Sequence, residues 1–198
     1  MGHMMVVAVA PADLDLLDAL VAEQQDAERR WQASAEDAAD IPHLRGAALR
    51  AARARIRAER DQRRDDGRHR VTRWRALAPA LRVELEAAGM LREWEPVPAG
   101  AAQAGQTLGG TGPGGGQGLT GRLCVTLPDT LAVPLHRGVY WTNEPHVTAL
   151  DAWTERWGTW PHSRATPQAL DERARLIGQI TTTGTLLRTA LKRTLESR

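Results

Sequence analysis

The chain has 198 residues, of which 42% are hydrophobic and 25% charged, the balance of a soluble globular protein and not of a disordered one. No apolar run approaches the ~20 residues of a membrane span, and the stretch from Met4 to Ala10 is too short for a signal-peptide core. A single cysteine, Cys124, excludes an internal disulfide and a thiolate metal cluster, and a cytoplasmic location is expected.

The net charge of +2 conceals a segregation. Every basic residue but Lys192 is arginine, the side chain that pairs bidentately with carboxylate or phosphate. Residues 11–40 hold nine acids and two arginines, whereas 41–75 hold twelve arginines and four acids, so a segment of −7 is followed by one of +8.

Met1-Gly2-His3-Met4 has the look of a vector-derived leader and is set aside. A first helix is expected from Pro11 to about Ser34, with Asp13, Asp15 and Asp18 near the positive end of its dipole and Leu14, Leu17, Val21 and Trp31 at helical spacing. A second should start near Ile41-Pro42 and stop near Asp66-Gly67. Leu44, Ala48, Ala52 and Ile56 form its apolar stripe, and since nothing larger than Ala58 follows until Val71, the part beyond Ile56 should face solvent or a polar partner. The two are expected to pack as an antiparallel hairpin.

Trp74, Leu77, Leu81 and Leu85 continue the helical period, divided at Pro79, to a stop at Gly89. The period then changes. Residues 90–95 and 122–127 read as strands, the second placing Leu123, Val125 and Leu127 on one face. Between them, residues 98–121 hold ten glycines and read as a flexible loop. Thr142-Asn143-Glu144-Pro145 signals a helix carrying Val147, Leu150, Trp153 and Trp157, and Thr166-Pro167 another, weakened from Gly178 to Gly184 before Leu186, Leu187, Leu191 and Leu195 resume the stripe. The fold class is α+β, mostly helical: a charged helical hairpin over 5–70, then a two-stranded hairpin and C-terminal helices over 71–198.

Arg50, Arg53, Arg57, Arg60 and Arg64 step by three or four residues and line one helix face. Such a row can grip a phosphate backbone, or be neutralised by the acidic helix before it. Catalytic and metal signals are poor. His136, His146 and His162 are too dispersed to define a site, Gly110, Gly112 and Gly115 match a dinucleotide motif only within a glycine tract, and three serines with no nucleophile motif leave serine chemistry without its parts. Tyr140, Trp141, Trp153, Trp157 and Trp160 are read as core in a chain without Phe, a stacking platform or interface hot spot being the alternative.

The sequence from Pro79 through Gly89-Met90-Leu91-Arg92-Glu93-Trp94 to Arg122-Leu123-Cys124-Val125-Thr126-Leu127 resembles the recognition helix and wing of a winged-helix domain. That resemblance implies that Arg73, Arg75 and Arg82 approach DNA. The same strand, with Pro128-Asp129 after it, also resembles the opening of a ribbon-helix-helix repressor, which implies base contacts from Arg122, Cys124 and Thr126, although Pro134 falls in the helix that must follow. The expected function is a non-catalytic nucleic-acid-binding or regulatory accessory protein. The alternative is an assembly subunit whose long helices, in coiled-coil fashion, and Trp-rich region bind protein. The expected partners are DNA or RNA, or a protein or second copy; no cofactor, metal, membrane or small-molecule substrate is indicated.

Overall fold

The computed structural model describes residues 2–101, 118–158 and 164–197. Most of the glycine-rich stretch, Trp160 and His162 lie outside the described residues. The described chain is mostly helical, with one two-stranded antiparallel sheet and six α-helices.

Strand β1 is Gly2–Val9 and leads directly into helix α1, Pro11–Ala38, whose proline occupies the first turn, where its missing N–H costs nothing. The helix outlasts its expected end at Ser34 because the Ala-rich turn after it favours continuation. Asp40, left-handed at φ 52°, turns the chain, and Ile41–His43 forms only a 3₁₀ turn. Helix α2 therefore begins later than expected, at Gly46, and runs unbroken to Asp65. Contacts along the two helices descend on one as they ascend on the other: Trp31 meets Arg63, Glu28 meets Arg64, and beyond the helix end Gln25 bonds Val71. The pair is an antiparallel hairpin.

Helix α3, Arg73–Ala87, is capped by the Thr72 hydroxyl, which accepts from the Arg75 N–H, and is not divided at Pro79. Ala76, Leu77, Ala80, Leu81 and Leu85 are all buried, and their packing outweighs a proline cost of about 3 kcal/mol. The expected strand over 90–95 is absent. Met90 is fully buried, its carbonyl accepts from the Trp94 indole at 2.9 Å, and this local bond folds the segment into a bend. With no strand there, the winged-helix hairpin does not form.

Strand β2, Gly121–Pro128, pairs instead with β1, from Gly2↔Pro128 to Val9↔Gly121. Gly2, His3 and Met4, set aside as a leader, are thus part of the sheet. Helix α4, Asp129–Trp157, follows β2 at once and passes through both Pro134 and Pro145, so Thr142-Asn143-Glu144-Pro145 lies inside a helix and not at its start. Buried Leu131, Ala132 and Leu135 hold its first part on the core, and Gly138 lets it lie against Met90, whose Cβ and Cγ stand 2.8 Å from where a β-carbon would sit. Helices α5, Pro167–Gly178, and α6, Thr183–Glu196, are capped by Thr166 and Thr182. Asn143 donates to the Thr181 carbonyl at 2.6 Å and accepts from its N–H at 2.9 Å, which fixes the α5–α6 connection to α4.

One hydrophobic core joins these elements across residue 70. It contains Val7 and Val9 of β1, Leu17 and Val21 of α1, Leu77, Leu81 and Leu85 of α3, Leu123, Val125 and Leu127 of β2, and Leu187 and Leu191 of α6. Arg193 of α6 clamps Glu84 of α3 at 2.6 Å over the same seam.

Candidate nucleic-acid interface

The arginines singled out in the sequence fall into two sets. In the first, carboxylates of α1 and of α2 itself neutralise the guanidiniums. Arg64 reaches Glu28 with both fork nitrogens, at 2.6 and 2.7 Å, and Glu28 is buried. The hydrogen bonds from that guanidinium hold the Glu28 carboxyl below the usual carboxylate range against the opposing effect of burial, and raise the Arg64 pKa in return. Arg73 makes the same bidentate contact with Asp18 at 2.7 Å, which raises its pKa. Arg75 pairs with Asp65 at 3.0 Å and lies over the Trp74 ring, and Arg60 pairs with Asp61 at 3.2 Å.

The second set is Arg50, Arg53, Arg57 and Arg82. All four are exposed, and none has an ion pair among the described residues. The first three, with Arg55, stand where α2 has little to lean on. From Gly46 to Arg55 only Leu49 and Ala52 are even half-buried, and Ile56 is the helix's one buried side chain. Of the two outcomes expected beyond Ile56, solvent or a polar partner, the structure shows the second. The later half is held on α1 by Arg63 and Arg64, and the earlier half projects. The apolar stripe did not reveal this because Arg63 and Arg64 reach α1 through a ring face and a carboxylate, not through apolar side chains.

The sheet presents a second exposed surface. Opposed residues in an antiparallel pair share a face, so Val7 with Leu123 and Met5 with Val125 look into the core, while Met4 with Thr126, Val6 with Cys124 and Ala8 with Arg122 look outward. All six outward residues are exposed, and Met4 is 75% exposed. Arg188 flanks this ribbon, donating to the Ala8 carbonyl at 3.3 Å, with its pKa lowered by burial. The outward set on β2 is the set named from the ribbon-helix-helix resemblance. Its partner strand escaped the sequence reading because Gly2, His3 and Met4 were set aside and the apolar stretch to Ala10 was weighed only against a signal-peptide core.

The aromatic residues divide similarly. Trp153 is buried and donates to the Ala169 carbonyl, so it is core. Trp141 donates to Glu95 O and meets Tyr140 edge-on at 5.0 Å, at the surface. Arg55, Arg68 and Arg188 are additional basic residues that helical spacing within one segment did not group with the row. No metal-holding group of histidine, cysteine, aspartate or glutamate occurs among the described residues.

No protein-family profile matches the chain, and comparisons with curated proteins and with solved structures return no match.

Proposed function

We propose that the protein is a non-catalytic nucleic-acid-binding protein, of regulatory or accessory type, that holds the phosphate backbone through the projecting half of α2. The observation that carries this reading is the row Arg50, Arg53 and Arg57, exposed and without an ion pair among the described residues, in a chain that pairs Arg60, Arg64, Arg73 and Arg75 with carboxylates. Fixed guanidinium groups on a helix are suited to phosphate oxygens, and each contact releases condensed counterions.

Base reading is assigned to the outward ribbon and not to a wing. A two-stranded ribbon fits the major groove of duplex DNA, where Arg122 is a donor fork for guanine, Thr126 a hydrogen-bonding group, and Val6 and Ala8 apolar contacts for thymine methyls. Of the winged-helix pattern, α3 and β2 remain without the strand that joins them, and Arg82 is the one exposed, unpaired arginine on α3 among the described residues.

The test is a salt-dependent titration of the full chain against duplex DNA, single-stranded DNA and RNA by fluorescence anisotropy. Tight binding at low salt that weakens along a steep log–log slope is expected, and Arg122→Ala should blunt discrimination among duplex sequences with the salt slope almost unchanged. Absence of affinity for all three nucleic acids at low salt would overturn the reading. Exposed Met4 and Val6 favour a second reading, assembly through the ribbon with a protein or another copy. It requires a concentration-dependent sedimentation coefficient that Val6→Asp abolishes.

A further inference from the structure

Helix α2 carries a second basic surface on its opposite flank. At 100° per residue, Arg55, Glu59, Gln62 and Asp66 lie about half a turn around the helix from Arg50, Arg53 and Arg57. With Arg63 and Arg68 they line a cleft of about 450 Å³. Arg68 closes it from the segment after the helix and is held in place by the backbone: the N–H groups of Arg68 and His69 both bond the Arg63 carbonyl, at 2.9 and 3.2 Å. The same bonds, with Asp66 to Gln62 O and Gly67 to Arg64 O, satisfy the carbonyls at the negative end of the helix dipole, which would otherwise repel an anion.

The charges in the cleft do not cancel. Arg63 is committed, holding Glu59 with two hydrogen bonds at 2.9 and 3.1 Å while its guanidinium lies 4.6 Å over the Trp31 ring. Arg55 and Arg68 have no ion pair among the described residues, and Asp66 alone remains against them. Two donor forks and the Gln62 amide lining one cleft suit a tetrahedral oxyanion, whose oxygens can be shared among several donors.

We propose that this cleft seats a phosphate group, held by the Arg55 and Arg68 guanidiniums with the Gln62 amide donating beside them. The site stands apart from the Arg50, Arg53 and Arg57 surface, and either can exist without the other. A phosphomonoester and a nucleic-acid backbone present the same chemistry here.

The experiment is a titration of the full-length chain with inorganic phosphate at constant ionic strength, following the arginine Nε–Hε resonances by NMR. Saturable shifts at Arg55 and Arg68 are expected, with Arg50 and Arg53 still. The Arg55→Gln/Arg68→Gln variant should bind phosphate at least tenfold more weakly, and Arg50→Gln/Arg53→Gln/Arg57→Gln should bind it as the parent does. Parallel titrations with a 5′-mononucleotide and a short single-stranded oligonucleotide identify the source: tighter binding of the first supports the site as a phosphomonoester seat, tighter binding of the second as a backbone seat. A non-saturating response, equal shifts at every exposed arginine, or undiminished phosphate binding by the double variant would overturn the proposal.

Discussion

The two halves of α2 are built from nearly the same residues and behave differently. From Arg60 to Arg64 the arginines meet acids of α1 and of α2 itself and a tryptophan of α1, and the helix is fastened. From Arg50 to Arg57 the arginines are exposed and have no ion pair among the described residues. Whether a basic row is structural or available to a ligand is thus decided by what the neighbouring helix offers at each level, not by the row itself.

That contrast can be broken first at the free end. Replacing Arg50, Arg53 and Arg57 together with Gln should weaken nucleic-acid binding by about 10²-fold near 0.1 M salt and flatten the salt slope by about 0.9 per lost contact, read by anisotropy titration. The matching change at the fastened end acts on stability. Glu28→Ala leaves the Arg64 fork without its carboxylate and should cost about 1–3 kcal/mol in urea unfolding.

A third measurement uses pH. Because the folded-state pKa of Glu28 is depressed, its contribution is present in full above the ordinary carboxylate value of 4.5 and is lost as pH falls through the folded value. The parent should therefore lose stability below about pH 4.5 more steeply than Glu28→Gln, and parallel acid limbs would remove Glu28 from the account. The smallest effect sharpens the comparison from the other side: Arg50→Gln alone should leave unfolding stability within about 0.5 kcal/mol, as for an exposed substitution without packing or pairing.

What the sequence disclosed follows the range of the forces involved. The entry of α1 at Pro11, the alternation of Leu123, Val125 and Leu127, and the start at Thr166 are local, and each was readable from a few adjacent residues, whereas the stretch from Gly178 to Gly184, read as a weakening, divides two helices with Thr182 capping the second. The unbroken passage of α3 through Pro79 and of α4 through Pro134 was not, because burial of Leu81 and Leu135 against distant elements overrides a local penalty. Residues 90–95 read as a strand through the loss of the helical period, whereas the indole of Trp94 turns back on Met90. In the candidate site, helical spacing found the arginine row but not its partition, since Glu28 and Asp18 lie 36 and 55 residues from their partners.

The sheet has a consequence for the order of events in folding. Gly2–Val9 precedes the helices in the chain, yet its only strand partner among the described residues is Gly121–Pro128, so the whole intervening chain must be gathered before the ladder can close. Helices α1 and α2 pair across a short connection and can form early, while pairing of the two strands closes a far longer loop and should come late. Until it does, β1 is an unsatisfied edge of Met and Val that invites like edges of other chains. Refolding yield should accordingly fall with protein concentration, and an acidic residue at Val6 should restore it.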